Sequence, residues 1–251
     1  MRELMLKLMA LQRMEKGTAG AAGGKGGAAG GGGEGGEDVT AAGCTANVAI
    51  ITKSHLICAN AGDSRAVLCR KGKAVPLSRD HKPNDAGERE RITAAGGFVS
   101  QAQNGHFRVN GNLNLSRSLG DLKYKGDAKL AAAKQVITAE PDVMKVARVP
   151  EEDEFVVLAC DGVWDCMSNQ EVSLMCSVWR QCLCDNRHTH IHIHTRVHTQ
   201  VVDYVRERLK KEKCLSKICE AIMNHCLAED PKQTQGIGGD NMTCIIVMLK
   251  R

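Results

Sequence analysis

The sequence predicts an α+β fold, and three observations predict it. Short alternating runs rich in Val, Ile and Ala recur between residues 47 and 69, two nearly unbroken apolar runs lie at 155–160 and 242–249, and helical spacing marks 86–96 and parts of 201–228. Strands towards both ends with helices between them suggest mixed sheets covered by helices.

Taken in order, Met1 to Lys16 places Leu4, Leu8, Leu11 and Met14 at helical spacing and could form a short amphipathic helix. Residues 17–38 are expected to be a disordered linker, because twelve of the chain's 26 glycines lie between Gly17 and Gly36 and large side chains are missing. A domain then runs over 39–251. Its first strands are read at Asn47–Ile51, Leu56–Asn60 and Arg65–Cys69, an antiparallel meander separated by turn residues. Residues 86–96 predict a charged helix closed by Gly96-Gly97. From 98 to 150 the pattern is mostly loop, with a strand expected near Gln135–Thr138. Phe155–Cys160 and Met242–Leu249 read as buried strands, and two helices frame 201–228.

Composition excludes several function classes. No apolar run approaches the roughly 20 residues that cross a bilayer, so no membrane partner is expected. Lys and Arg exceed Asp and Glu by 34 − 29 = 5, and seven aromatics leave little for stacking bases, so nucleic-acid binding is not expected. The first residues lack a small-residue cleavage site, which points to a cytoplasmic or nuclear protein whose twelve cysteines stay reduced.

The informative residues are acidic and stand at strand ends. Asp63 follows the second strand, Asp161 follows Phe155–Cys160 directly, Asp165 comes one short turn later, and Asp240 precedes the last strand. Gathered carboxylates without a matching cluster of Lys or Arg repel by roughly 4 kcal/mol per pair at about 4 Å and an effective dielectric near 20. A cation should neutralise them, and oxygen donors without nearby imidazole or thiolate favour Mg²⁺ or Mn²⁺ over zinc. Any one of these Asp residues, taken singly, is more often a turn former bonded to its own backbone.

Six runs occur in order: Ala59-Asn60-Ala61-Gly62-Asp63-Ser64-Arg65, Leu77-Ser78-Arg79-Asp80-His81-Lys82-Pro83, Arg108-Val109-Asn110-Gly111, Leu115-Ser116-Arg117-Ser118-Leu119-Gly120-Asp121, Ala159-Cys160-Asp161-Gly162-Val163-Trp164-Asp165 and Gly239-Asp240-Asn241-Met242-Thr243. Together they resemble the type 2C, metal-dependent serine/threonine protein phosphatases, over about residues 43–171 and 201–249. The Gly-rich acidic stretch before Gly43-Cys44-Thr45-Ala46 resembles the gamma-type member most. The resemblance implies a four-layer α-β-β-α sandwich of two antiparallel sheets, with a metal pair at one end. It implies Asp161 and Asp240 as ligands of the paired ions, and Asp63 and Asp165, with Asp161, around a weaker third. It also implies phosphoprotein substrates, action as a single chain, and a flap at about 80–150. There Arg108 and Arg117 stand open between contact with phosphorylated substrate and ion pairs with Asp121 or a neighbour.

Two departures qualify this. The family's opening Arg and Glu-Asp segment and its Asp-Gly-His-Gly-Gly motif are missing, and residues 1–42 hold one Asp, Asp38, and no His. The chain is therefore expected to lack the N-terminal strands, to be N-terminally incomplete, and to be weak or inactive alone. The second departure is 172–200, where Cys176, Cys182 and Cys184 precede His188, His190, His192, His194 and His198. Nothing there fixes tetrahedral geometry, so zinc is not expected. His188–Thr199 back-translates to alternating purine and pyrimidine, as in a noncoding CA repeat, and the segment is read as a retained intron. The competing reading of the whole is a noncatalytic pseudophosphatase that binds phosphoproteins, with a metal-buffering His/Cys stretch as a third.

Overall fold

The computed structural model describes residues 42–102, 105–167, 201–234 and 236–249. The helix and linker expected over 1–38 and the insertion 172–200 lie outside the described residues. The chain runs β1 (Gly43–Cys44), β2 (Ala46–Ile51), β3 (His55–Ala61), β4 (Arg65–Arg70), β5 (Lys73–Pro76), α1 (Ala86–Ala94), β6 (Val99–Gln101), β7 (Phe107–Val109), β8 (Leu119–Gly120), β9 (Asp142–Ala147), β10 (Asp153–Ala159), α2 (Asp161–Trp164), α3 (Val201–Leu209), α4 (Leu215–Cys226) and β11 (Cys244–Met248). It is α+β with antiparallel sheets, as expected, and divides into two compact units.

One unit comprises Ile51–Leu56, Ser64–Leu77 and the chain from Val146 onward. Its sheet has the order β11-β10-β4-β5, antiparallel throughout. β10 is an inner strand, and Phe155, Val156 and Val157, which alternate between its two faces, are all fully buried, which is why this strand reads as a continuous apolar run. Phe155 and Val157 share a core with Val67 and Cys69 of β4, Val201 and Val205 of α3, and Ile218 and Ile222 of α4. The last strand, expected to be buried, is instead an edge: Ile246 is 7% exposed, but Ile245 is 52% and Met248 44% exposed. Ile245 and Met248 point to opposite faces of this strand, so neither face is covered along its whole length.

The other unit contains Ile57–Asp63 and Ser78–Lys145 with the preceding chain up to Ile50. β2, β3 and β9 form a three-stranded sheet. The β6–β7 and β1–β8 pairs are short antiparallel ribbons. Ile92, Val109 and Ile137 make a small separate core. The helix expected at 86–96 is α1, stopped where foreseen: the Gly97 amide donates to Ile92 O and the Gly96 amide to Thr93 O, with Gly96 at φ +82. That double closure is the Schellman end, which favours glycine at the left-handed position.

Two sequence expectations fail. The meander breaks after β3, because β4 pairs with β10 and β5 rather than with β3; alternation records which residues are buried, not which strand lies alongside. No strand forms at Gln135–Thr138. The Gln135 side chain is buried and donates to Asp127 O and Leu130 O, binding a loop, and Thr138 makes only an isolated bridge with Arg117.

Candidate functional site

Register sets the segments carrying Asp161 and Asp240 at one end of a sheet. Ala159 of β10 pairs with Cys244 of β11, so the chain leaving β10 and the chain entering β11 meet at one end of the sheet. Cys160 fastens that junction. Its amide donates to Thr243 O at 3.2 Å, its Sγ accepts the Thr243 amide at 3.1 Å, and its thiol donates to Asn241 O at 3.4 Å. The next residue must be small: a Cβ on Gly162 would lie 2.4 Å from Asn241 O. Asp161 is half-buried and accepts the Gly162 amide at 2.9 Å, while exposed Asp240 accepts the Asn241 amide at 2.7 Å. Asp165 ends the same helical turn, its amide donating to Asp161 O at 2.7 Å, and is exposed. Trp164 anchors the turn from beneath through its indole N–H on Ala159 O at 2.7 Å, and the Arg65 guanidinium lies 5.2 Å over its ring.

Asp63 belongs to the other unit, where it is almost fully buried. Gly62, at φ +114, makes the turn, and a Cβ there would lie 2.5 Å from the Thr45 side chain. His81 grips the same turn. Its amide donates to Gly62 O at 3.0 Å and its Nδ1 accepts the Gly62 amide at 3.2 Å. That acceptance places the neutral ring's proton on Nε2, which faces Asp142 Oδ2 at 3.1 Å in a contact poorly aligned for a hydrogen bond. Asn60 adds bonds to Gly62 O and Arg79 O. The Asp63 carboxylate itself receives the Lys82 ammonium at 2.5 Å.

Of the two arginines left open by the sequence, Arg117 is held by other acids than Asp121. It binds Glu88 at 2.7 Å and Asp142 at 2.9 Å, and Glu88 also accepts Arg91 at 2.6 Å. Burial alone would raise the Glu88 carboxyl, but hydrogen bonds from Arg117 and the charge of Arg91 outweigh it and hold it at about 2. Burial also opposes ionisation of Asp142, and contact with His81 and Arg117 overcomes it, so its carboxyl lies below the ordinary range. Arg108 donates to Asn112 O, and Asp121 accepts the Ser118 hydroxyl.

Asp161 and Asp240 are hard oxygen donors on chain segments that meet at one sheet end, a donor type that suits a divalent cation. Among the described residues, however, no three His, Cys, Asp or Glu side chains come together as a group able to hold a metal ion. Asp63 already holds an ammonium. Lys82, His81, Glu88 and Cys160 are the polar groups that sequence reasoning did not single out; the run Asp80-His81-Lys82-Pro83 was visible, but not that it closes on Gly62 and Asp63 nineteen residues earlier.

The model of the protein phosphatase 2C family matches residues 36–189. Protein phosphatase 2C homolog 2 of Schizosaccharomyces pombe is 45% identical over 210 residues, which are 83% of this chain and 47% of that protein. Probable protein phosphatase 2C 11 of Oryza sativa subsp. japonica is 42% identical over 209 residues, 83% of this chain and 48% of that one. The chain thus spans about half the length of the curated relatives it matches. The crystal structure of a phosphatase from a pathogenic strain of Toxoplasma gondii covers 78% of this chain and 48% of its own at 27% identity and a TM-score of 0.55. Serine-threonine phosphatase 2C from Toxoplasma gondii, at 22% identity and a TM-score of 0.57 over 82% of this chain and 58% of its own, shares the fold. The ordered motifs, the antiparallel sheets and these matches place the chain in the protein phosphatase 2C family.

Proposed function

We propose that this chain is part of an enzyme that hydrolyses phosphoserine and phosphothreonine in proteins, and that Asp161 and Asp240 hold Mg²⁺ or Mn²⁺ in it. The observation that carries the reading is the β10–β11 register, which sets these two carboxylates at one sheet end in a chain of this family. A bound divalent ion would supply a water of lowered pKa and neutralise phosphate charge. The protein's own part is to present the carboxylates: Cys160 and Gly162 hold the chain beside Asp161 against Asn241 and Thr243, and Trp164 fixes the turn that carries Asp161 and Asp165. Two such ions in the complete enzyme, with Asp165 and Asp63 contributing to a third, belong to the same proposal, as do the gamma-type likeness, action as a monomer and a cytoplasmic or nuclear setting.

Alone, the chain should be weak or inactive. No Asp-Gly-His-Gly-Gly run occurs in its 251 residues, and the described residues hold no three-donor group. We read 172–200 as a retained intron. The lack of a three-donor group also favours the second reading, a noncatalytic phosphoprotein-binding chain. Hydrolysis of a phosphopeptide with Mn²⁺ decides between them. Turnover that appears when a fragment carrying the missing motif is added, and disappears in Asp161→Asn, supports the enzyme. Phosphopeptide binding without turnover in that mixture supports the second reading, and full-enzyme rates from this chain alone overturn the expected weakness.

A further inference from the structure

We propose that Lys82 is the resident counter-cation of Asp63 and competes with a divalent ion for that carboxylate. The inference rests on the reading of Asp63 as a possible metal ligand and goes beyond it by naming what holds the place meanwhile. The Asp63 side chain is 2% exposed, so its charge needs a partner, and the Lys82 ammonium is that partner at 2.5 Å. The carboxylate has little freedom to seek another. Its turn is pinned by two backbone bonds between Gly62 and His81, by Asn60 on Gly62 O, and by a left-handed Gly62 that no larger residue can replace.

The ammonium differs in this respect. The Lys82 side chain is 37% exposed against 2% for that of Asp63. A lysine carries a compact, strongly hydrated charge on a flexible stem and can move into water once an ion compensates the carboxylate. A divalent ion approaching Asp63 therefore meets an occupied carboxylate, and binding there requires the lysine to leave. Lys82 would weaken that one site selectively and keep Asp63 paired whenever no ion is bound.

The test is titration of the full chain with Mn²⁺ alone, read by calorimetry and by the rise in melting temperature. Lys82→Met keeps the apolar stem and removes the charge. It should create an Mn²⁺ site at least tenfold tighter than any that depends on Asp63 in the parent, and Lys82→Met/Asp63→Asn should lose that gain. Lys82→Arg should behave like the parent. If Lys82→Met leaves the metal-free chain unfolded, Mn²⁺ should restore it but not the double variant; failure to restore it overturns the proposal. So does a folded Lys82→Met whose Mn²⁺ affinity is unchanged. Asp240→Asn separates the two readings. Loss of the parent's binding in it concerns the main site, whereas a Lys82→Met gain that survives this substitution supports the counter-cation even if no main site exists.

Discussion

Glu88 and Asp240 are both acidic, yet the fold treats them oppositely. Glu88 is 5% exposed and lies between two guanidinium groups, Arg91 and Arg117. Asp240 stays in solvent and accepts the amide of its neighbour Asn241. An ionised carboxylate that is buried needs counter-charge, and Glu88, held between two guanidinium groups, has none of its charge left open to a ligand. An exposed carboxylate at a strand end keeps that capacity and contributes little to the fold. The acids that matter for stability and those available for chemistry are thus separated by burial, not by residue type.

The largest effect should come from breaking the buried network. Glu88→Gln leaves Arg91 and Arg117 facing a neutral amide, and loss of one partner from a buried ionic cluster costs about 3–5 kcal/mol. Denaturant unfolding should show it; a loss below about 1 kcal/mol would mean that solvent already shares the network. The same residue gives a pH signature. Its carboxyl is held at about 2 against an ordinary 4.5, so the unfolded chain takes up the proton first. The stabilisation is present above 4.5 and disappears as pH falls from there towards 2. Glu88→Gln should flatten the acid limb of a stability-against-pH curve, and an unaltered limb would assign acid unfolding to other carboxylates.

A medium effect is expected where the two candidate ligands are spaced. A Cβ on Gly162 meets the Asn241 carbonyl at 2.4 Å, a backbone atom with no rotamer to change. Gly162→Ala should cost about 1–3 kcal/mol by overpacking. It should also weaken Mn²⁺ binding, because relief requires the Asp161 turn and the Asp240 loop to part. Unchanged Mn²⁺ affinity with lowered stability would show that this spacing serves packing alone.

Much of this was legible in the sequence, and for definable reasons. Phe155–Cys160 was read as a buried strand because an inner strand has no polar face, and 86–96 as a helix because Gly96-Gly97 supplies its stop signal. The acidic strand-end positions were legible because turns follow strands. Pairing was not: the apolar alternation of Arg65–Cys69 is the same whether it adds to a meander or sits beside β10. Lys82 and Arg117 were visible as charges but not as partners, since the acids they neutralise lie 19 and 29 residues away and only the fold closes those loops. The argument that gathered acids need a metal was therefore incomplete, because a lysine already answers it for Asp63.

The smallest effect on stability should come from Asp240→Asn, and it tests the opening contrast most directly. An exposed carboxylate bonded to the adjacent amide can be replaced by its isosteric amide within about 0.5 kcal/mol, because neither desolvation nor an abandoned counter-charge is involved. The change should be evident only when Mn²⁺ is added: the parent's melting temperature should rise with the ion, and that of Asp240→Asn should rise less or not at all. A metal-free loss comparable to that of Glu88→Gln would show that Asp240 is structural after all. The separation by burial would then fail at the residue where it is most needed.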